Sequence, residues 1–506
     1  MGRIPAYTPS FRERNLMLVH RVLPEKSIAT LDEYVRAGGG KGLEAARRVS
    51  PDVLMDVLDA SGLRGRGGAG FPTGTKWRTV ASFGSDALPT TVVVNAAEGE
   101  PGTFKDRSIL MTDPYSVLEG ALIAGVALGA DEVIVATKSS FSDVMTRVAK
   151  AIEEITAAGW TVDCPARLVG GPDEYLFGEE TALLEVIDGR PPLPRIAPPW
   201  RRGVVEVVDS AVDEQRDSGL AARVDMAGPT TDAPPALVSN VETFANVTRV
   251  ITNGDEWLRT NGTTRSPGTV VCTVTGSTAK AGVGELPLGT PIADAINEIG
   301  GGLRTNRKVK AVLSGVSTGV LTGDQITTPL TYEDMTGAGG GLGSAGLIVL
   351  DDNVDMIAVA AGAAHFLWVE SCGQCTPCKN DGKAIAISLA RLCRNEGNEQ
   401  DRADVRDRLT TVANGARCSL ASQQQIVIGS ILAKFDNEMS DHLAGRADPA
   451  EPMLIAALVD ISGGEATLDE QFRAKQPDWT YDATDSGQSP TERLTDHTES
   501  LPEAPQ

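Results

Sequence analysis

Apolar residues in the first half of the chain form short continuous runs that alternate with segments of helical spacing. The runs predict buried β-strands at residues 91–95, 132–137 and 161–168, and the spacing predicts helices at 115–130 and 141–157. Strands that alternate with helices in this way are typical of an α/β domain with a parallel sheet. Ligands of such sheets bind beyond the carboxyl ends of the strands, so the loops after the first and third strands are candidate binding segments.

The pattern changes twice in the second half of the chain. Short β runs at residues 268–276 and 308–314, with a helix at 292–299 between them, predict a small β-rich unit that ends near Asp351. Helical spacing dominates afterwards and predicts a helical bundle, with helices at 384–392, 405–412 and 423–435. The irregular, charged segment 201–236 is expected to be a surface excursion.

These changes divide the chain into five segments. They are an N-terminal extension (1–60), the α/β domain (61–250), the β-rich unit (251–351), the helical bundle (352–445) and an acidic, mostly disordered tail (446–506).

Composition excludes several classes of partner. The chain has 506 residues and a formal net charge of −22, which repels the phosphates of nucleic acids and the surface of anionic membranes. Its most apolar run, residues 356–368, is too short to span a bilayer, and its first residues lack the apolar core of a signal peptide. We therefore expect a cytoplasmic protein that reaches a membrane only through partners.

Three of the seven cysteines, Cys372, Cys375 and Cys378, are separated by two residues each. One tight loop can direct three thiolates of this spacing to a single centre, as in iron–sulfur proteins. The candidates for a fourth ligand are Cys418, in a predicted turn, and Cys393, which has the position of a packing residue in a helix. A [4Fe–4S] cluster with Cys418 is favoured over a structural zinc site, because zinc sites usually combine two separate ligand pairs.

A glycine-rich stretch with two arginines and a lysine runs through residues 62–77. Its backbone N–H groups and cations suit an anion such as phosphate, although a glycine-rich turn without a ligand is an equally good interpretation. Two further clusters, residues 95–107 and 170–181, place carboxylates after predicted strands, where they can accept hydrogen bonds from a ribose or a carboxamide. For the second cluster, the acidic first turn of a helix is an alternative of equal weight.

Five motifs together resemble one protein family. They are GLRGRGGAGFPTGTKW at 62–77, EPGTFKDR at 100–107, GEETAL at 178–183, SNVETFANV at 239–247 and ESCGQCTPC at 370–378. In this order they resemble the NADH-binding flavoprotein subunit of respiratory complex I, the NADH:quinone oxidoreductase. They are similar also to the diaphorase subunits of NAD-linked hydrogenases and formate dehydrogenases. The resemblance extends from about residue 15 to residue 445.

The resemblance implies a flavin-binding α/β domain with a parallel sheet, a small ubiquitin-like β-grasp (SLBB) domain and a C-terminal helical bundle. It implies FMN and a [4Fe–4S] cluster as cofactors and NAD(H) as substrate. The enzyme would be an NADH dehydrogenase that passes electrons from NADH through FMN to the cluster. Its partners would be a thioredoxin-like [2Fe–2S] subunit and a larger iron–sulfur subunit of a multisubunit complex, peripheral to the inner membrane.

The resemblance also implies site residues. The flavin site would comprise Gly65, Arg66, Gly67, Gly68, Lys76, Asn95, Glu98, Gly178, Glu179, Glu180, Asn240 and Thr243. The nicotinamide nucleotide would face Phe71, Glu100 and Glu180, and the catalytic residues would be Glu98 and Glu180. The cluster would be held by Cys372, Cys375, Cys378 and Cys418.

Several positions depart from the family pattern. Thr79 replaces an aromatic residue that helps to stack the adenine, Ala97 replaces Asp, and Ala197 replaces Lys. Phe177 replaces a Cys, and Trp200 replaces a Phe. Loss of a stacking ring weakens nucleotide binding by about 1 kcal/mol, and the Trp200 ring is a candidate substitute. These departures leave one alternative, an FMN and [4Fe–4S] electron-transfer module that has lost NADH binding and relays electrons between proteins.

Overall fold

The structure is a computed structural model that describes residues 18–84, 90–201, 235–304 and 306–498. The surface excursion expected at residues 201–236 lies outside the described residues except at its two ends.

Four helices precede the first strand. They are α1 (Leu31–Arg36), α2 (Lys41–Ala46), α3 (Pro51–Ser61) and α4 (Thr73–Ala81). The fully buried carboxylate of Glu119 joins this region to the α/β domain. It accepts hydrogen bonds from the Tyr34 hydroxyl at 2.7 Å and from the backbone N–H groups of Gly40 and Leu43 at 2.8 and 3.0 Å. The N-terminal helices are therefore packed onto the sheet domain and share its core.

Strands and helices alternate in the α/β domain as predicted. The elements are β1 (Thr90–Ala96), α5 (Lys105–Thr112), α6 (Pro114–Leu128), β2 (Ala130–Lys138), α7 (Ser142–Ala157), β3 (Ala166–Gly171), α8 (Glu180–Ile187), β4 (Ala236–Asn240), α9 (Val241–Asn253) and α10 (Asp255–Arg259). All four strands are parallel, in the order β3-β2-β1-β4. The third strand begins at Ala166 rather than at residue 161, because the preceding residues form an exposed turn in which Val162 is 76% accessible.

The β-rich unit contains a second sheet. Its elements are β5 (Thr269–Gly276), β6 (Gly282–Pro287), α11 (Ile292–Glu298), β7 (Val309–Ser314), β8 (Leu321–Thr322), α12 (Tyr332–Gly337) and β9 (Gly346–Asp351). The strand order is β6-β5-β9-β7-β8. Strands β5 and β9, which are the first and last of this unit along the chain, form a parallel pair, and every other pair is antiparallel. A hairpin, a helix and a central parallel pair agree with the expected β-grasp arrangement; the finer assignment to the SLBB type stays a prediction.

The helical bundle follows directly. Its helices are α13 (Met356–Glu370), α14 (Thr376–Cys393), α15 (Glu399–Thr411), α16 (Leu420–Lys434) and α17 (Asp436–Leu443). Among the described residues, no single helix is long and apolar enough to cross a bilayer. Within the same residues, one helix pair, α5 and α6, reaches the required length and apolar composition when taken together, but the two helices are bent by 97° relative to each other.

The prediction of a mostly disordered tail is wrong for residues 446–498. This segment forms β10 (Leu458–Ser462), β11 (Glu465–Leu468) and α18 (Pro490–Thr498). Lys475 makes a buried ion pair with Glu370 at 2.7 Å, and the Trp479 indole donates to the Val369 carbonyl at 2.9 Å. A few buried contacts thus order a segment whose average composition is polar.

Candidate functional site

A cavity of about 520 Å³ lies at the carboxyl edge of the parallel sheet. Its walls come from the glycine-rich loop, the loops after β1 and before α8, the end of β4, two loops of the β-rich unit and the start of α16. Cavities of this size are typical of small-molecule and cofactor sites. All three folded units therefore contribute to one site.

The glycine-rich loop is held in a narrow hairpin. The backbone N–H of Gly65 donates to the Phe71 carbonyl at 2.8 Å. Gly68 and Gly70 have φ angles of 120° and 63°, in the region that favours glycine. A Cβ on Gly70 would lie 2.4 Å from the Tyr332 ring, so the loop packs directly against the β-rich unit. This close packing fixes the loop with its backbone along the cavity.

The first turns of α4 present polar groups to the cavity. Lys76 donates a hydrogen bond to Glu180, whose side chain is 42% exposed. The hydroxyl of Thr73, at the start of the helix, is buried and has no hydrogen-bond partner. An unpaired buried hydroxyl is unfavourable, and an anion at this helix N-terminus would supply its acceptor. The site therefore fits a phosphate-bearing cofactor.

Glu179 acts as a helix cap. Its carboxylate accepts hydrogen bonds from the Thr181 and Ala182 backbone N–H groups at 3.0 and 2.9 Å and from the Thr181 hydroxyl at 2.6 Å. Burial raises the pKa of Glu179 above its ordinary range, although these hydrogen bonds oppose the shift. For this residue the helix-start interpretation of the second carboxylate cluster is confirmed, while its side chain also lines the cavity.

Two asparagines lie side by side where β1 and β4 end. Asn95 and Asn240 are paired in the register of these strands. Asn95 donates to the Gly178 carbonyl at 2.8 Å, and Asn240 donates to the Asp106 carboxylate at 2.7 Å. Asn240 also accepts from Lys105 at 3.0 Å. Both side chains therefore hold the cavity loops to the sheet edge.

A buried charged network lies beneath the cavity. The ammonium group of Lys105 lies 2.7 Å from the Asp106 carboxylate and 3.0 Å from that of Glu242. Burial alone would lower the pKa of Lys105, but the two carboxylates raise it above its ordinary value, so the ammonium stays charged. Glu98 accepts hydrogen bonds from the Asp106 backbone N–H at 2.9 Å and from the Arg107 guanidinium at 2.8 Å. Glu98 is therefore held in place as an ion-paired carboxylate that borders the cavity.

Glu100 connects the sheet domain to the other two units. Its carboxylate accepts hydrogen bonds from the Val316 backbone N–H at 2.7 Å and from the Tyr175 hydroxyl. The same hydroxyl lies 3.2 Å from the amide oxygen of Gln423 in α16. Burial raises the pKa of Glu100, and the hydrogen bonds it accepts partly offset that rise.

The four predicted cluster ligands surround a second, smaller pocket. Cys372, Cys375 and Cys378 come from the loop between α13 and α14 and from the first turn of α14, and Cys418 lies just before α16. Cys393 does not line this pocket; its thiol is directed to the carbonyl of its own helix, at Ala390. The fold thus brings together the three closely spaced cysteines and Cys418.

Burial favours the protonated form of these thiols. Burial raises the pKa of Cys418 to about 12. Burial also raises the pKa of Cys378, and the neighbouring sulfurs of Cys418, Cys372 and Cys375 add to the rise. Buried thiols in this condition become thiolates when a metal centre binds them. The four cysteines line one pocket, but within the described ranges no three Cys, His, Asp or Glu side chains form a group that could hold a single metal ion.

The cavity and the cysteine pocket have a common wall. Leu176, Cys418 and Leu420 line both of them. A group bound in the cavity would therefore be separated from a group held by the cysteines by a single layer of side chains.

Most of the predicted residues are brought together. The cavity is lined by Gly65, Gly67, Gly68, Phe71, Lys76, Asn95, Glu98, Glu100, Gly178, Glu179, Glu180, Asn240 and Thr243. Arg66 differs, because its guanidinium donates to the carbonyls of Pro267 and Thr269 and to the Tyr332 hydroxyl. Its backbone N–H donates to Thr243 at 2.9 Å. The Arg66 side chain therefore joins two units rather than lining the cavity.

Several lining residues were not foreseen. Tyr175, Ser317, Ser344 and Gln423 line the cavity but belong to no family motif recognised in the sequence, except that Tyr175 falls within the second carboxylate cluster. The other three come from the β-rich unit or the bundle, and among them only Gln423, which lies five residues after Cys418, had a local sequence signal.

The departures from the family pattern are distributed unevenly. Ala97 lines the cavity, whereas Thr79, Ala197 and Trp200 do not. The Trp200 ring packs against the main apolar core, and Phe177 is fully buried. Trp200 is therefore not placed as a substitute stacking ring in this cavity.

The fold and the two adjoining sites define the class of protein: a cofactor-binding α/β protein with a helical bundle whose cysteines suit an iron–sulfur cluster. Residues 58–249 match the model of the Nuo51 FMN-binding domain, and residues 358–442 match the NADH-ubiquinone oxidoreductase-F iron-sulfur binding region. The chain belongs to the family of the F subunits of NADH-quinone oxidoreductase. It therefore has an FMN-binding domain and a [4Fe–4S] binding region.

Individual relatives agree with this assignment. The chain is 33% identical over 429 residues to the F 2 subunit of NADH-quinone oxidoreductase of Rhizobium meliloti (strain 1021), covering 83% of this chain and 96% of the relative. It is 32% identical over 432 residues to the NADP-reducing hydrogenase subunit HndC of Solidesulfovibrio fructosivorans, covering 83% and 82%. Among solved structures, an NAD+-reducing [NiFe]-hydrogenase in the H2-reduced state matches with a TM-score of 0.69 and 27% identity, covering 82% of this chain and 67% of that one.

Proposed function

We propose that this chain is the NADH-oxidising subunit of a larger redox complex, with FMN and NADH in the cavity and a [4Fe–4S] cluster in the cysteine pocket. The observation that carries the proposal is that the cavity and the cysteine pocket share one wall, formed by Leu176, Cys418 and Leu420. FMN supplies two-electron chemistry with NADH, and the cluster supplies one-electron chemistry, when each is bound.

The chain's own residues bind and orient the two molecules. The backbone N–H groups of the glycine-rich loop, Lys76 and the unpaired Thr73 hydroxyl suit the phosphate of FMN. Phe71 lines the cavity with 51% of its surface exposed, as expected of a ring that a second, exchangeable molecule would cover. Glu100 and Tyr175 are polar residues of the same lining and are candidates to contact NADH.

Anaerobic mixing of the FMN-loaded protein with NADH tests the proposal. We expect the flavin absorbance to bleach on mixing. Full bleaching by dithionite without any bleaching by NADH or NADPH would refute NADH oxidation. It would favour instead the electron-transfer module that lacks NADH binding.

A pair of aromatic variants localises the NADH site. Phe71→Ala should raise the NADH concentration needed for half-maximal bleaching several-fold, because the exposed ring lines the cavity. Tyr481→Ala removes a ring that is similarly exposed, at 53%, but outside the cavity, and should leave that concentration unchanged. Equal effects of the two variants would contradict the assignment of the cavity to NADH.

The relatives named above are subunits of multisubunit enzymes, which supports partner subunits for this chain. We propose that a thioredoxin-like [2Fe–2S] subunit and a larger iron–sulfur subunit receive its electrons, with the complex in the cytoplasm at the inner membrane. Co-purification of the full chain from its host, followed by identification of the bound subunits, tests this part. Recovery of the chain without any iron–sulfur partner would refute it.

A further inference from the structure

Three consecutive glutamines near the start of helix α16, residues 423–425, have three different environments. Gln423 lines the flavin cavity and lies within hydrogen-bond distance of the Tyr175 hydroxyl. Gln425 is exposed, and its amide donates to the Leu409 carbonyl at 2.7 Å. Gln424 is completely buried, and its amide contacts Cys378. Sequence alone does not distinguish these three residues.

The amide nitrogen of Gln424 is directed at one of the predicted cluster ligands. It lies 3.5 Å from the Cys378 sulfur and 3.2 Å from the Cys378 carbonyl oxygen. The carbonyl can only accept a hydrogen bond, so the amide must have its NH₂ group on this side. The sulfur of Cys378 therefore has a side-chain donor next to it.

The other end of the same amide is unsatisfied. Its oxygen is buried without a hydrogen-bond partner. An unpaired buried carbonyl costs stability, and an apolar side chain of similar size would avoid that cost. The retained amide therefore points to a role for its NH₂ group.

A glycine on the facing helix makes room for this amide. A Cβ at Gly382 in α14 would lie 2.4 Å from the Gln424 amide oxygen. Gly382 has ordinary helical backbone angles, since it is not among the glycines with positive φ. Its lack of a side chain serves the packing of Gln424, because the helix itself does not require glycine here.

We propose that Gln424 is a positioning residue that donates a hydrogen bond to the Cys378 thiolate and raises the reduction potential of the [4Fe–4S] cluster. Reduction adds negative charge to the cluster and its sulfurs. A donor to a ligating sulfur stabilises that charge more strongly in the reduced form. The cluster next to the flavin cavity thereby becomes a better electron acceptor.

The test is a potentiometric titration of the full, FMN-loaded protein, followed by the electron paramagnetic resonance signal of the reduced cluster. Gln424→Leu removes the donor at nearly constant volume, and Gln425→Leu is the matched control one residue away. We expect Gln424→Leu to lower the ratio of reduced to oxidised cluster about tenfold at a fixed potential. That change equals a shift of about 59 mV to more negative values for one electron. The control should retain the wild-type potential, and an equal potential in both variants would overturn the proposal.

Gly382→Ala provides an independent variant that keeps the glutamine. The added methyl group would displace the amide, so the potential should move in the same negative direction. If Gln424→Leu binds no iron, the test rests on the cluster potential of Gly382→Ala: a more negative value supports the proposal, and the wild-type value overturns it. Loss of iron from both variants, with iron retained in Gln425→Leu, would overturn potential tuning in favour of a purely structural role.

The inference rests on the proposed cluster ligation, and the two can fail separately. Wild-type protein without iron would refute the proposed function. Wild-type protein with a normal cluster whose potential is insensitive to Gln424 would refute only this inference.

Discussion

The C-terminal segment, residues 446–494, is anchored by one buried ion pair, which makes a specific prediction possible. The side chains of Lys475 and Glu370 are each 4% exposed and lie 2.7 Å apart. The second oxygen of Glu370 accepts the backbone N–H of Tyr175 at 2.9 Å, and Tyr175 lines the cavity at the sheet edge. Lys475→Met would leave Glu370 buried without its counter-ion.

Removing one partner of a buried ion pair costs about 3–5 kcal/mol. Opening of the segment should therefore become more favourable by a factor between about 10² and several times 10³. Arg473→Met is the control, because its ion pair with Glu470 has side chains that are 58% and 68% exposed. Such a surface pair is worth about 0–1 kcal/mol. The double variant Lys475→Met/Glu370→Gln removes both charges and should recover most of the loss.

Hydrogen exchange followed by mass spectrometry measures this opening directly, in peptides covering residues 458–480. We expect protection to fall sharply in Lys475→Met and to remain near wild type in Arg473→Met. Burial lowers the pKa of Lys475, but Glu370 and Glu174 raise it above its ordinary value overall. The protonated Lys475 thus makes its full contribution as pH approaches about 10.4 from neutral, and that contribution is lost as pH rises through the folded-state pKa. Equal protection in Lys475→Met and the control would refute the reasoning.

Three further predictions concern the cluster ligands, the glycine-rich loop and the buried Lys138 of β2. Cys418→Ser should lose the iron absorbance while Cys393→Ser keeps it, and equal iron content in both would contradict the ligand assignment. Gly70→Ala should lower the FMN content, because its Cβ would lie 2.4 Å from the Tyr332 ring. Gly189→Ala has a similarly positive φ but open space and should not lower it. Burial lowers the pKa of Lys138 to about 8, so stability against denaturant should rise between about pH 8 and 10.4, and Lys138→Met should reduce that rise.

The elements that sequence predicted well are those whose pattern is local. Strands β1 and β2 and helices α6 and α7 are marked by apolar runs or by helical spacing, and they lie within a few residues of their predicted bounds. Strand β4 was not predicted, because it has only five residues and its pairing with β1 decides its conformation. The tail was misjudged for a similar reason: its order depends on contacts to distant residues such as Glu370.

The candidate site divides in the same way. Its motif residues come from short stretches of sequence, such as the glycine-rich loop, in which neighbouring residues indicate both the chemistry and the place of the site. The contacts that complete the site join residues far apart in the chain. Glu100 accepts from Tyr175, 75 residues away, and from Val316, 216 residues away. No pattern along the chain specifies which loop of the β-rich unit meets the carboxylate, because the packing of whole units determines it.

The relative position of the two redox sites depends chiefly on one helix. Cys418 borders both sites just before α16, and Leu420 borders both at its start. Gln423 lines the cavity, and the amide of the adjacent Gln424 lies 3.5 Å from the Cys378 sulfur. A rigid helix therefore sets the spacing between the two sites.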